Sequence, residues 1–202
     1  VSVGTLSMVG AWSNAGGTFN LSGGTLNLDG TFIGAGLGTF NRSGGTLNLT
    51  GTMDLGGGTL NLDSQFGTGG LSAFSGTIKN GTITGTTLTS SSGALTDITI
   101  GSSMTESGAL WVGNNLLLAD GVNFNTGSST LYFSSVANTI GLAAGATSAT
   151  LTKAGGALYA NTSNNNGIIT IGSGVTVQGY GSLPVYYGGG GWVNNGTIMG
   201  NV

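Results

Sequence analysis

Apolar and polar residues alternate in short runs along this chain, and the runs repeat. Gly17-Thr18-Phe19-Asn20-Leu21-Ser22-Gly23 is followed at once by Gly24-Thr25-Leu26-Asn27-Leu28-Asp29-Gly30. The pair returns 21 residues later as Gly38–Gly44 and Gly45–Gly51, and Gly58-Thr59-Leu60-Asn61-Leu62-Asp63 begins 20 residues after Gly38. Gly30-Thr31-Phe32 and Gly51-Thr52-Met53 stand between the copies. Period-two alternation is the mark of a strand, because successive side chains point to opposite faces. Leu26 and Leu28 therefore share one face, and Thr25 and Asn27 the other. A glycine at each boundary lets the chain turn through positive φ.

Three short strands and three glycine corners close one coil. The spacing therefore predicts an all-β, three-sided parallel β-helix with about 20 residues per coil. Coils stack about 4.8 Å apart. That stacking places Phe19 over Phe40, Leu26 over Leu47, Asn20 over Asn41 and Asn27 over Asn48. The apolar columns form a core that no single coil could bury, and the asparagine columns can form amide ladders. Predicted core residues are Phe19, Leu26, Leu28, Phe40, Leu47, Leu49, Leu60 and Leu62.

The chain is read as one solenoid over residues 1–202, regular over about 12–63 and looser over 64–202. In the looser part Ile78, Ile83 and Leu88 recur every five residues, and Gly101, Gly121 and Gly141 mark a beat of 20. Apolar pairs continue through Leu116 and Leu118, Phe124, Leu131 and Phe133, Ile140, Ile169 and Ile171, to Val175 and Val177. The total comes to about nine or ten coils, or roughly 45 Å of stack. Segments 143–149 and 160–167 read as loops. No stretch shows helical spacing with caps at both ends.

The GGTLNL units with their GTF partners, and the NGTI elements Asn80–Ile83 and Asn195–Ile198, resemble autotransporter-associated β-strand repeats. They are also similar to filamentous-haemagglutinin-like β-solenoids of large secreted bacterial surface proteins. The close match covers 12–63 and becomes one of style beyond. The resemblance implies a right-handed β-helix, an extracellular or cell-surface location, and a role in adhesion or structure. It carries over no catalytic residue.

Composition narrows the chemistry. Of 202 residues 43 are Gly and only nine are charged, with no Cys and no His; average domains are about 7% Gly and 25% charged. Three basic residues and a net charge of −3 exclude a nucleic-acid partner. The lack of Cys and His excludes disulfides and the usual zinc sites, and no run is apolar enough for a transmembrane helix. The chain begins at Val1 without Met or a leader and is read as a piece of something longer.

Six acids are available: Asp29, Asp54, Asp63, Asp97, Glu106 and Asp120. Glycoside hydrolysis needs two placed carboxylates. Asp29 and Asp63 read as turn residues bonding their own backbone. Asp54 reads as a surface acid near Arg42 or Asp29, and Arg42, Lys79 and Lys153 as scattered. No enzyme is expected, and no cofactor. The calcium nonapeptide pattern is missing, and isolated Asp residues rarely supply six to eight oxygens, so no metal is expected. Ser90–Ser92 is a corner with no His to activate it. Thr ranks, Thr18 over Thr39 and Thr25 over Thr46, allow an ice-binding face.

Two features point to assembly. Trp12-Ser-Asn14-Ala-Gly-Gly-Thr18-Phe19 is similar to Trp192-Val-Asn194-Asn-Gly-Thr197-Ile198, as though the last coil were to be followed by one like the first. Neither end carries a charged or helical cap, and an uncapped solenoid stacks head to tail. The candidate assembly or binding surface is Trp12, Asn14, Tyr186, Tyr187, Trp192 and Asn194; with Tyr180 these include the aromatic C-terminal stretch. The expected function is a structural module of an extracellular bacterial fibre or surface adhesin. Its partners would be copies of itself or tandem units, with glycans or other surface proteins as further candidates. The alternative is a carbohydrate- or ice-binding module on the same scaffold.

Overall fold

A computed structural model describes residues 1–160, 167–185 and 189–200. All of the paired strands run parallel and stack as the coils of a β-solenoid, about nine turns in all. The first coil holds β1 (Thr5–Ser7) and β2 (Thr18–Leu21). The second holds β3 (Thr25–Leu28), β4 (Thr31–Ile33), a single 3-10 turn (Gly34–Gly36) and β5 (Thr39–Arg42). Then come β6 (Thr46–Leu49), β7 (Thr52–Asp54), β8 (Thr59–Asn61), β9 (Ala73–Phe74) and β10 (Thr77–Thr84). Two long strands follow, β11 (Thr87–Ile100) and β12 (Met104–Leu118). The remainder are β13 (Asn123–Asn125), β14 (Thr130–Phe133), β15 (Ala137–Leu142), β16 (Ala149–Ala160), β17 (Ile168–Ile171), β18 (Val175–Ser182), β19 (Gly191–Asn194) and β20 (Thr197–Gly200).

These strands fall into columns. Side A is the short sheet β1-β3-β6-β9. Side B runs from Ala11 through β4, β7, the first half of β10, the centres of β11 and β12, and β14 to the end of β16. Side C runs from β8 through the ends of β10, β11 and β12 to β15, β17 and β19. Side D begins with β2 and β5 and resumes with the starts of β11 and β12, β13, the start of β16, β18 and β20. Each coil passes A, B, C, D in that order. Beyond β9 side A disappears and the coil is three-sided.

The register follows the sequence pattern. Phe19 pairs with Phe40, Leu26 with Leu47 and Leu28 with Leu49. Asn41 Nδ2 donates to Asn20 Oδ1, and Asn48 Nδ2 to Asn27 Oδ1, each at 2.9 Å, so both amide ladders form. All the predicted core residues are buried except Phe19, which is only partly buried because no coil lies beneath it. Ile78, Ile83 and Leu88 occupy sides B, C and D of one turn, which explains their spacing of five. Gly101, Gly121 and Gly141 do not stack: Gly141 faces Leu117, and Gly101 follows Ile100, which faces Leu118. Residues 143–148 are a loop, while 161–166 lie outside the described residues.

Coil length varies. On side B, Thr31, Thr52, Thr77, Ala94, Trp111, Tyr132 and Tyr159 are successive partners, so the step swings from 17 to 27 residues. The 17-residue coils have no loop to spend on corners. They turn instead at single non-glycine residues of positive φ: Asn80 (59°), Ser92 (81°), Asp97 (52°) and Asn114 (59°). Asn and Asp tolerate this region better than other side-chain-bearing residues. Asn80, Asp97 and Asn114 lie one coil apart on the same corner, where Asp97 accepts from Asn114 Nδ2 and Asn115 Nδ2, both at 2.8 Å.

Glycine has a second use at the corner between sides A and B. The N–H groups of Thr31, Thr52 and Thr77 donate to the carbonyls of Gly10, Gly30 and Gly51 at 2.7–2.8 Å. A Cβ on Gly76 would stand 2.0 Å from Gly51 O, and one on Gly51 2.4 Å from Gly30 O, at ordinary φ. Close approach of stacked corners, not positive φ, demands glycine there.

Candidate functional site

The end coils come first. β1 has a partner on one side only, as do β19 and β20. Residues whose alternation turns them inward are therefore uncovered: Leu6, in register with Leu26, is 45% exposed, and Ile198, in register with Val177, is 46% exposed. Val3, Val9 and Met199 are exposed as well. All nine charged residues lie between Asp29 and Lys153, so both end coils are free of charged side chains.

Trp12 and Asn14 lie in the first coil. The Trp12 ring stacks on Phe32 with centroids 4.1 Å apart, meets Phe19 edge-on at 6.2 Å, and donates from Nε1 to Asp29 O at 2.8 Å. Asn14 is tied to the second coil through its N–H to Gly36 O and its Nδ2 to Leu37 O. Trp192 and Asn194 lie in the last coil, on side C, in register with Ile169 and Ile171. Trp192 meets Phe133 edge-on at 6.4 Å, and its buried Nε1 has no hydrogen-bond partner among the described residues. Tyr186 and Tyr187 lie outside the described residues. The described candidates thus sit at opposite ends of one molecule, and only stacking of molecules brings them together. Thr18 and Thr197 both open side-D strands, so the two similar segments are in phase there, whereas the tryptophans stand on neighbouring sides.

The interior holds a polar column that the spacing did not disclose. Thr105 is in register with Asn125, and Asn125 with Thr152, so the inward residues that follow, Glu106, Thr126 and Lys153, stack in three successive coils of side D. All three are buried. Lys153 Nζ reaches back one coil to donate to Thr126 Oγ1 at 3.2 Å and to Ser129 O at 2.5 Å. Neither carboxyl oxygen of Glu106 has a hydrogen-bond partner among the described residues. Burial pushes the Glu106 carboxyl up to about 7, with the Ser129 hydroxyl and the Lys153 charge acting the other way. Burial also brings the Lys153 amine down to about 8, opposed by Glu106. Lys153 is therefore not scattered from the acids.

The other charged residues serve the scaffold. Arg42 is buried and donates to the carbonyls of Gly44, Gly45 and Gly70 and to Ser72 Oγ, not to Asp54. Asp54 pairs with Lys79 at 3.4 Å, and the Gly56 N–H holds its carboxyl below the usual range, with Asn80 and Lys79 assisting. Asp29 and Asp63 bond across coils, to Thr50 Oγ1 and to the N–H and hydroxyl of Thr86, and not their own turns. Asp120 likewise accepts from the N–H and hydroxyl of Thr147 and the N–H of Ser148, which lowers its pKa. Ser90 braces its corner, accepting from Gly93 N–H and donating to Ala109 O. Among the described residues no group of three or more acids is placed to hold a metal, and no helix is long and apolar enough to cross a membrane.

No family model, no curated protein and no solved structure matches this chain. The surface alone remains to suggest a role. On side B an outward aromatic ladder, also unforeseen, joins Trp111 to Tyr132 (centroids 4.8 Å apart, planes at 23°) and Tyr132 to Tyr159 (5.8 Å). The rings are turned largely toward one another along the stack. Their faces, which a sugar would need, are in good part engaged within the ladder.

Proposed function

We propose that this chain is a structural, non-catalytic module of an extracellular fibre or surface adhesin of the bacterial β-solenoid kind, assembling by end-to-end stacking of coils. The observation that carries this reading is the pair of end coils: apolar, one-sided in their strand pairing, and free of charged side chains. Exposed strand edges recruit further strands, and solenoids that stay monomeric protect their ends. Contact between opposite ends is heterologous and does not close, so it builds filaments.

The extracellular and bacterial parts of the proposal rest on the sequence resemblance. The carbohydrate- or ice-binding alternative has less behind it. Its Thr rank on side B, Thr31-Thr52-Thr77, gives way to Ala94 and then to the aromatic ladder. Electron microscopy of the purified chain across a concentration series tests the assembly reading. Unbranched filaments one solenoid wide are expected; single rods at every concentration would overturn it.

A further inference from the structure

The polar column of side D ends in a void. Lys153 is followed in register by Gly179, and Gly179 by Gly200, so two successive coils place no side chain over the lysine. The space left is a cavity of about 380 Å³, walled by Val177, Tyr180, Leu183, Ile198 and Met199. It opens at the last coil, on the corner that follows side D.

The matching corner of the first coil is occupied by residues 1–4. Val1 O accepts from the N–H groups of Ser22 and Gly23, and Gly4 O from Thr25, which fixes this segment between β2 and β3. Val3 lies there 84% exposed. An apolar hole at one end and an apolar side chain at the other thus share one angular position about the solenoid axis. No charged side chain of either end coil opposes their approach.

We propose that a second copy of this chain docks its first coil on the last coil of its neighbour, with Val3 seated in the cavity over Gly179 and Gly200. This specifies the register of the head-to-tail contact and rests on the assembly reading above. Stacking in this phase lets side D of one molecule lead into side A of the next.

Two variants test it. A Cβ on Gly200 meets nothing within 4 Å, so Gly200→Phe plugs the cavity without disturbing its own coil. Val3→Asp puts a charge where the apolar contact is needed and, being exposed, leaves the monomer folded. Circular dichroism and thermal melting confirm folding of each. Each variant alone is expected to raise the concentration needed for filaments at least tenfold. Mixed one to one, they retain one good contact, Val3 of Gly200→Phe against the open cavity of Val3→Asp. Mass photometry should then show heterodimers and no longer species. If wild-type protein forms filaments and both folded variants do so unchanged, the socket is wrong while end-to-end stacking stands. If wild-type protein forms no filaments, the assembly reading fails and this inference with it.

Discussion

At the residue scale, the same residue type has different jobs at different corners, and substitution separates them. Gly76→Ala drives a Cβ to 2.0 Å from Gly51 O, backbone that cannot move without separating two coils. Gly56→Ala has open space and only the strain of φ 58° to bear, on the order of 1 kcal/mol. Thermal unfolding should show Gly76→Ala clearly the more destabilised; equal losses would mean that corner packing is not what selects glycine. The buried couple Glu106–Lys153 gives a pH signature. A carboxyl raised from 4.5 to about 7 favours folding fully below pH 4.5 and loses that contribution as pH rises through 7. An amine lowered from 10.5 to about 8 favours folding fully above 10.5 and loses that contribution as pH falls through 8. Both contributions are weakest near pH 7–8, so stability should pass through a minimum there. Glu106→Gln should flatten the acid limb and Lys153→Met the alkaline limb in urea titrations at several pH values. Unchanged profiles would show that the two groups are solvated.

At the element scale, the strands were legible wherever a short motif repeats, because alternation and glycine corners both fix the phase. Phe19 over Phe40 and the two Asn ladders follow from a constant step of 21. Once the step drops to 17 and later rises to 27, partners can no longer be found by counting. That is why Trp111, Tyr132 and Tyr159 went unjoined, and why Glu106 and Lys153 read as unrelated. Their inward direction was nevertheless legible: Met104-x-Glu106, Phe124-x-Thr126 and Leu151-x-Lys153 each continue an apolar phase. Only which coils lie adjacent was missing. Alternation also sets the cost of core changes. Leu47 is fully buried between Leu26 and the coil above. Leu47→Ala should cost about 2–5 kcal/mol, and Leu47→Asp, which buries an unpaired charge, should abolish the cooperative thermal transition. A folded Leu47→Asp protein would mean that this column does not face the core.

At the scale of the whole molecule, charge is confined to the middle and the ends are apolar. That distribution, rather than any cluster of reactive groups, is what the fold offers. The candidates Trp12, Asn14, Trp192 and Asn194 belong to it as end-coil residues, and their separation by the length of the stack is what an assembly of copies requires. Charging both ends should therefore stop assembly while sparing the core. Leu6→Lys with Ile198→Lys is expected to give monodisperse single molecules in sedimentation velocity under conditions where the wild type polymerises. Continued polymerisation of that variant would place the contact elsewhere.

The central claim is that coils continue from one molecule into the next, and the axial repeat of the filament tests it most directly. Cryo-electron microscopy should show strands perpendicular to the filament axis at about 4.8 Å, with a longer repeat of about nine coils, roughly 43 Å. A lateral or irregular repeat, or rods that never join at high concentration, would contradict it.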